Sequence, residues 1–205
     1  MTLFFLLIIT INSFGQIKLE NEIISGFIKS YFSHVVKDTV FERDGKIKKI
    51  QIQYLKKYIV LINETVSNEF DNKKRSLSSF HYNGPAIFHM GLKLIDSTMY
   101  SDFIKKNQTK IAVDTIRDFV GSISYLSDNE IEKIFQNRGW ETFRNIYGDR
   151  PLVRLSRPGI NVKRGRAFIY IESSTDGLAG IGMYVILEKF NGNWVVKEWM
   201  EVWES

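Results

Sequence analysis

The chain has 205 residues, 44% of them hydrophobic, 25% charged and 14% aromatic, with no cysteine, three prolines and a formal net charge of +5. These are the proportions of an ordinary globular domain, and they exclude disordered, collagen-like and disulfide-scaffold chains. Such a length buries roughly 70% of the surface its unfolded form exposes, enough for one core without staples or a structural metal.

Leu3 to Ile11 is an apolar run interrupted by Thr10 alone, followed by Asn12-Ser13 and Phe14-Gly15-Gln16. Small residues at Ser13 and Gly15 have the spacing a signal peptidase reads, so residues 1–15 are expected to be a signal peptide cut before Gln16. Residues 16–205 are then one α+β domain exported to a periplasmic or extracellular space. The run is shorter than the about 20 apolar residues a membrane span needs. Its flank carries no Lys or Arg, and the competing reading is a buried N-terminal strand. A lipoprotein is excluded by the missing cysteine. Every charged residue follows residue 15, so the exported part keeps the whole +5. It enters an oxidising compartment without a disulfide, which leaves packing alone to hold it.

From residue 17 to 36, Leu19, Ile23, Ile24, Phe27, Ile28, Tyr31, Phe32, Val35 and Val36 recur at three- and four-residue intervals and predict an amphipathic helix. The period changes at Thr39. Asp44-Gly45 signals a tight turn, Ile50, Ile52 and Tyr54 alternate with polar residues, and an apolar run covers Tyr58 to Ile62, together a hairpin and a further strand. Residues 63–84 have no periodic apolar face and read as a surface loop or weak helix. Ala86 to Ile95 reads as a strand, and Ser97 to Lys106 as a short helix.

Ser127 with Glu130 forms a capping box ahead of Ile131, Ile134 and Phe135, a helix expected to stop at Arg138-Gly139. A second helix covers Trp140 to Tyr147 and ends at Gly148. Pro151 opens a strand through Leu155, and Arg157-Pro158-Gly159 suits a type II turn. Strands follow over Arg166 to Ser173, Ile181 to Phe190 and Trp194 to Trp203, the last two joined by Asn191-Gly192, the strongest hairpin signal in the chain. No repeat or linker divides the chain. Strand alternation puts Trp199, Glu201 and Trp203 on one face and Trp194, Val196, Met200 and Val202 on the other.

Without cysteine there is no thiol nucleophile and no thiolate metal site. His34, His81 and His89 share no metal-ligand spacing, and no cofactor motif is present. Gly121-Ser122-Ile123-Ser124-Tyr125 lacks the closing glycine of a nucleophile elbow. Among carboxylates, Glu172 and Glu188 on neighbouring strands are the first candidate pair. Gly177-Leu178-Ala179-Gly180-Ile181-Gly182 joins two strands and leads into no helix, so it is not a phosphate cradle. Glycine there is expected to permit positive φ, a bulge or the close approach of a neighbouring backbone, the competing reading being a loop whose bare backbone faces a ligand.

Charge is unevenly spread. Residues 138–166 hold seven of the ten arginines and Lys163 against Glu141 and Asp149, a net of +6, so the rest of the chain sums to −1. The arginine fork suits phosphate, sulfate and carboxylate, which makes Arg154, Arg157, Arg164 and Arg166 the candidate binding residues. The first, third and fourth are expected on neighbouring strands with Arg157 at the turn between them. The competing reading is a solvated basic face or ion pairs with acids elsewhere in the fold. No nucleic-acid recognition motif is visible.

The segment from Leu126 to the end resembles a group of uncharacterised secreted bacterial proteins. Gly139-Trp140-Glu141, Leu155-Ser156-Arg157-Pro158-Gly159-Ile160-Asn161, Ala167-Phe168-Ile169-Tyr170, Gly177-Leu178-Ala179-Gly180 and Gly192 with Trp194 carry the resemblance. It implies no activity, cofactor or catalytic residue. Helices followed by an antiparallel sheet ending in a Gly-x-Trp hairpin are also similar to nuclear-transport-factor-like and cystatin-like folds, which bears on architecture alone. The expectation is an α+β domain whose N-terminal and mid-chain helices pack on one face of a mainly antiparallel sheet ending in a C-terminal meander. Its first expected role is a non-catalytic binding or interaction module, holding an anionic envelope component or an acidic protein with the four arginines. The alternative is a hydrolase with a tertiary-assembled site involving Glu172 or Glu188, or His81 or His89 beside a serine. A structural or assembly role, with Trp199 and Trp203 exposed together, is third.

Overall fold

The computed structural model describes residues 2–32, 34–41, 47–55, 57–66 and 93–205. The apolar stripe of the first segment forms helix α1 (Thr2–Phe32), with Ile23, Ile24, Phe27 and Ile28 fully buried. This helix ends four residues before the expected boundary. Val35, Val36, Thr39 and Val40 are β-branched and pack better on a pleated surface, so His34–Phe41 is strand β1, paired antiparallel with β2 (Ile47–Leu55) in a two-stranded sheet. The Asp44-Gly45 turn lies outside the described residues.

The main sheet has seven strands: β3 (Lys57–Ile62), β4 (Gly121–Leu126), β5 (Leu152–Leu155), β6 (Gly159–Asn161), β7 (Arg166–Ser174), β8 (Gly180–Phe190) and β9 (Asn193–Glu204). Their order is β4-β3-β5-β7-β8-β9, with β6 beside β7. The sheet is mixed. β3 runs parallel to both β4 and β5, and the C-terminal part is the expected antiparallel meander. Asn191 and Gly192 both take positive φ in the β8–β9 hairpin, as that turn requires. Three further helices are α2 (Ser97–Lys106), α3 (Asp128–Gln136) and α4 (Trp140–Tyr147). The capping box at Ser127 and Glu130 is formed in both directions.

Helices cover both faces of this sheet, not the one face expected. The reason lies in β7 and β8, whose Ala167–Ile171 and Met183–Leu187 are continuously buried, so each face carries apolar side chains that need a cover. Ile169, Ile171, Met183, Val185 and Leu187 pack against α1. On the opposite face, Phe168, Tyr170, Tyr184 and Ile186 pack against Met99 and Phe103 of α2, while Val60, Ile62 and Leu152 pack against Ile131 and Phe143 of α3 and α4. Between these two helical covers runs a strip of sheet lined by Arg154, Glu172 and Ser174.

Two segments depart from the sequence expectation. Arg157-Pro158-Gly159 is not a type II turn, because β5 and β6 are successive stretches along the same edge of β7. Ser156 spans the break: its N–H donates to the Tyr170 carbonyl and its hydroxyl accepts from the Tyr170 N–H. Gly159 is demanded by close approach, since a Cβ there would fall inside the α2 backbone at Met99. In β9, register shifts opposite Gly182/Met183 and Ile186/Leu187 each insert one residue. A bulge reverses side-chain alternation, so Trp203 lies across from Gly182 and Trp199 across from Val185, on opposite faces. Trp199 is 56% exposed, whereas a Cβ on Gly182 would overlap the Trp203 indole. The two tryptophans therefore form no common patch.

Candidate functional site

The four candidate arginines do not converge. Arg157 binds the carboxylate of Glu20, Arg166 that of Glu188 at 3.2 Å, and Arg164 lies 3.8 Å from Asp96. Arg154 stands directly across the β5–β7 ladder from Glu172. Arg154 is opposite residue 172 of β7 and Arg166 is the first residue of that strand, about 20 Å apart along it at 3.3 Å per residue.

Arg157 is absorbed by a buried cluster. Glu20 on α1 is fully buried and receives Nε and Nη2 of Arg157 at 2.9 and 3.1 Å. Lys106 of α2 lies 3.4 Å from the same carboxylate and 2.7 Å from Asp102. Asp102 accepts the Ile160 N–H, and Asn107 accepts the Arg157 N–H while its amide donates to the Arg157 carbonyl. Asn161 donates to Asp96, which caps α2 through the Met99 N–H. Burial pushes the Asp96 carboxyl up, but the Met99 amide, Asn161 and Arg164 outweigh it and hold it below the usual aspartate range. The Ser156-to-Asn161 motif is thus a clasp joining α1, α2 and the sheet edge.

Arg154 has a different setting. A cavity of about 310 Å³ opens on the strip between the helical covers. Ile131, Glu132 and Phe135 of α3, Trp140 of α4, Leu152 and Arg154 of β5, and Glu172 and Ser174 of β7 line it. Positive φ at Arg138 and Gly139 turns the chain sharply between α3 and α4. The turn sets the Trp140 ring edge-on to Phe135 at 5.1 Å and to Phe143 at 5.3 Å. The glycine-rich turn between β7 and β8 lies against Trp140 at Gly177, and Asp176 in that turn pairs with Arg144 of α4. Glu172 is also held in place: Trp203 Nε1 donates to the Tyr170 hydroxyl, which donates to Glu172 Oε1 at 2.9 Å. Burial pushes the neighbouring Tyr184 phenol far up, with Tyr170, Tyr100 and Glu172 adding to the shift.

Glu172 and Glu188 are not a pair. Glu172 is opposite Gly182 and Glu188 opposite Arg166, at distant ends of the β7–β8 ladder. The second carboxylate that lines the cavity with Glu172 is that of Glu132, on α3. Of the cavity residues, Trp140, Phe135 and Ser174 went unread as site residues, although the i, i+2 spacing of Tyr170, Glu172 and Ser174 on a strand already placed these three on one face.

A larger groove of about 650 Å³ lies between α1, residues 114–117 and Gly192–Val195. Its lining mixes Lys18, Lys29 and Arg117 with Glu22 and Asp114. His81 and His89 lie outside the described residues, and His34 begins β1 rather than lying on α1. Among the described residues no group of His, Asp and Glu is arranged to hold a metal ion, and no helix is long and apolar enough to cross a membrane. The architecture is α+β, a mixed seven-stranded sheet with helices on both faces. No known protein family, curated protein or solved structure matches this chain.

Proposed function

We propose that this chain is an exported, non-catalytic binding module whose ligand site is the cavity bounded by Trp140, Arg154 and Glu172. The observation that carries the reading is the convergence of a fixed aromatic wall and pre-positioned polar groups in one concavity, the usual anatomy of a small-molecule site. Of the four arginines, Arg154 is the one that lines this cavity; Arg157 serves the clasp, and Arg164 and Arg166 lie outside the cavity. The test is a thermal-shift and NMR screen of the purified chain against a chemically diverse small-molecule panel, repeated on Trp140→Ala. Hits that disappear in the variant are expected. Hits that persist in it, or no hit at all, overturn the reading.

Export is proposed from the sequence: the apolar run Leu3 to Ile11 followed by small residues at Ser13 and Gly15 has the form of a signal peptide cut before Gln16. Mass spectrometry of the product from expressing cells is expected to show a chain starting at Gln16 outside the cytoplasm. A full-length chain retained in the cytoplasm refutes export.

The hydrolase reading keeps one observation, that Glu132 and Glu172 line the same cavity. It demands turnover of a glycoside or ester that Glu172→Gln abolishes. The binding reading expects none, because Glu132 is exposed and a general acid works best shielded from water.

A further inference from the structure

We infer that the cavity takes the ring of a neutral sugar, an inference that rests on the cavity being a ligand site at all. Three features select this class. The charged lining is Arg154 against Glu132 and Glu172, a net of −1, so an anion meets two carboxylates and a cation meets a guanidinium. Arg154 and Glu172 face each other at ladder spacing. A guanidinium donates hydrogen bonds and a carboxylate accepts them, and a hydroxyl does both, so a sugar hydroxyl bridges the pair without separating its charges. Another part of the lining is aromatic. Trp140, held by Phe135 and Phe143, presents a rigid apolar surface to the C–H face of a pyranose at little cost in side-chain entropy.

The remaining geometry agrees in scale and in order. A cavity of about 310 Å³ sits at the small end of ligand sites and suits one ring or a chain terminus rather than an extended polymer. The Trp203–Tyr170–Glu172 relay fixes the carboxylate before any ligand arrives, which reduces the ordering cost of binding.

The test titrates the purified chain with cellobiose, maltose and diacetylchitobiose. Glucuronic acid, glucosamine and a neutral tripeptide serve as comparators, and binding is mapped by shifts of the Trp140 indole and neighbouring amides. A neutral disaccharide is expected to bind. Trp140→Ala and Arg154→Met should each weaken it by at least ~tenfold, the loss typical of a central aromatic or arginine anchor. Trp140→Phe should keep most of the affinity, which separates a lost platform from a lost fold, and Arg164→Ala, outside the cavity, should change nothing. Binding of a charged sugar or the peptide at these residues, with no neutral sugar bound, overturns the sugar inference and leaves the ligand site standing. Failure of every probe class to perturb the cavity overturns both.

Discussion

Replacing Arg157 by methionine removes the bidentate partner of a fully buried carboxylate while keeping much of the side chain's apolar length. Glu20 is left with Lys106 at 3.4 Å, and Lys106 is already committed to Asp102 at 2.7 Å. Removing one partner of a buried pair costs about 3–5 kcal/mol, because a charge is left buried without compensation. The residual lysine puts the expected value near the lower end, about 3 kcal/mol. With a urea slope of about 2 kcal/mol per molar, the unfolding midpoint should fall by about 1.5 M. Glu20→Leu is the reciprocal change, and it leaves Arg157 its bonds to Thr109 and the Lys106 carbonyl. The double variant leaves neither charge stranded and should cost less than the two singles together, by about 1–3 kcal/mol of coupling. Urea unfolding followed by far-ultraviolet circular dichroism and tryptophan emission measures all three. An Arg157→Met cost below about 1 kcal/mol, or strictly additive costs, refutes the clasp as a stabilising unit.

Gly182→Ala should displace the Trp203 indole, break its bond to Tyr170, red-shift tryptophan emission and destabilise by about 1–3 kcal/mol; unchanged emission and stability count against the close approach. Ser127→Ala removes one half of the capping box and should cost about 0.5–2 kcal/mol, read as a lowered unfolding midpoint. Asp96, lowered in the folded chain, adds stability that is complete above the ordinary aspartate value of about 4 and is lost as pH falls through its lower folded value. The advantage of the wild type over Asp96→Asn in thermal midpoint should therefore be largest near neutral pH and shrink in acid. An advantage that grows in acid contradicts the assignment.

Much of the secondary structure was legible from local signals. The capping box at Ser127, the helix over Trp140–Tyr147 and the Asn191-Gly192 hairpin each rest on a few adjacent residues, and each formed as read. The misreadings share one cause, that strand pairing and helix docking overrode the local preference. Pro158-Gly159 has the composition of a turn, yet Gly159 is required because α2 presses against it. Alternation along β9 joined Trp199 to Trp203, but one residue inserted between them, Val202, turned them to opposite faces. The arginine count was correct, but a charge surplus in the sequence carries no information about which acids folding brings to it.

By itself the sequence determined an α+β chain without cysteine, a basic window at residues 138–166 and an apolar N-terminal run, because composition and short-range periodicity are set by neighbouring residues. Tertiary structure alone decided how that basic window is used. Glu20 and Arg157 are separated by 137 positions and meet in the core, and Trp140 comes to line one cavity with Arg154 and Glu172. Such partners are chosen by strand order and helix docking, which depend on burying both faces of one sheet at once.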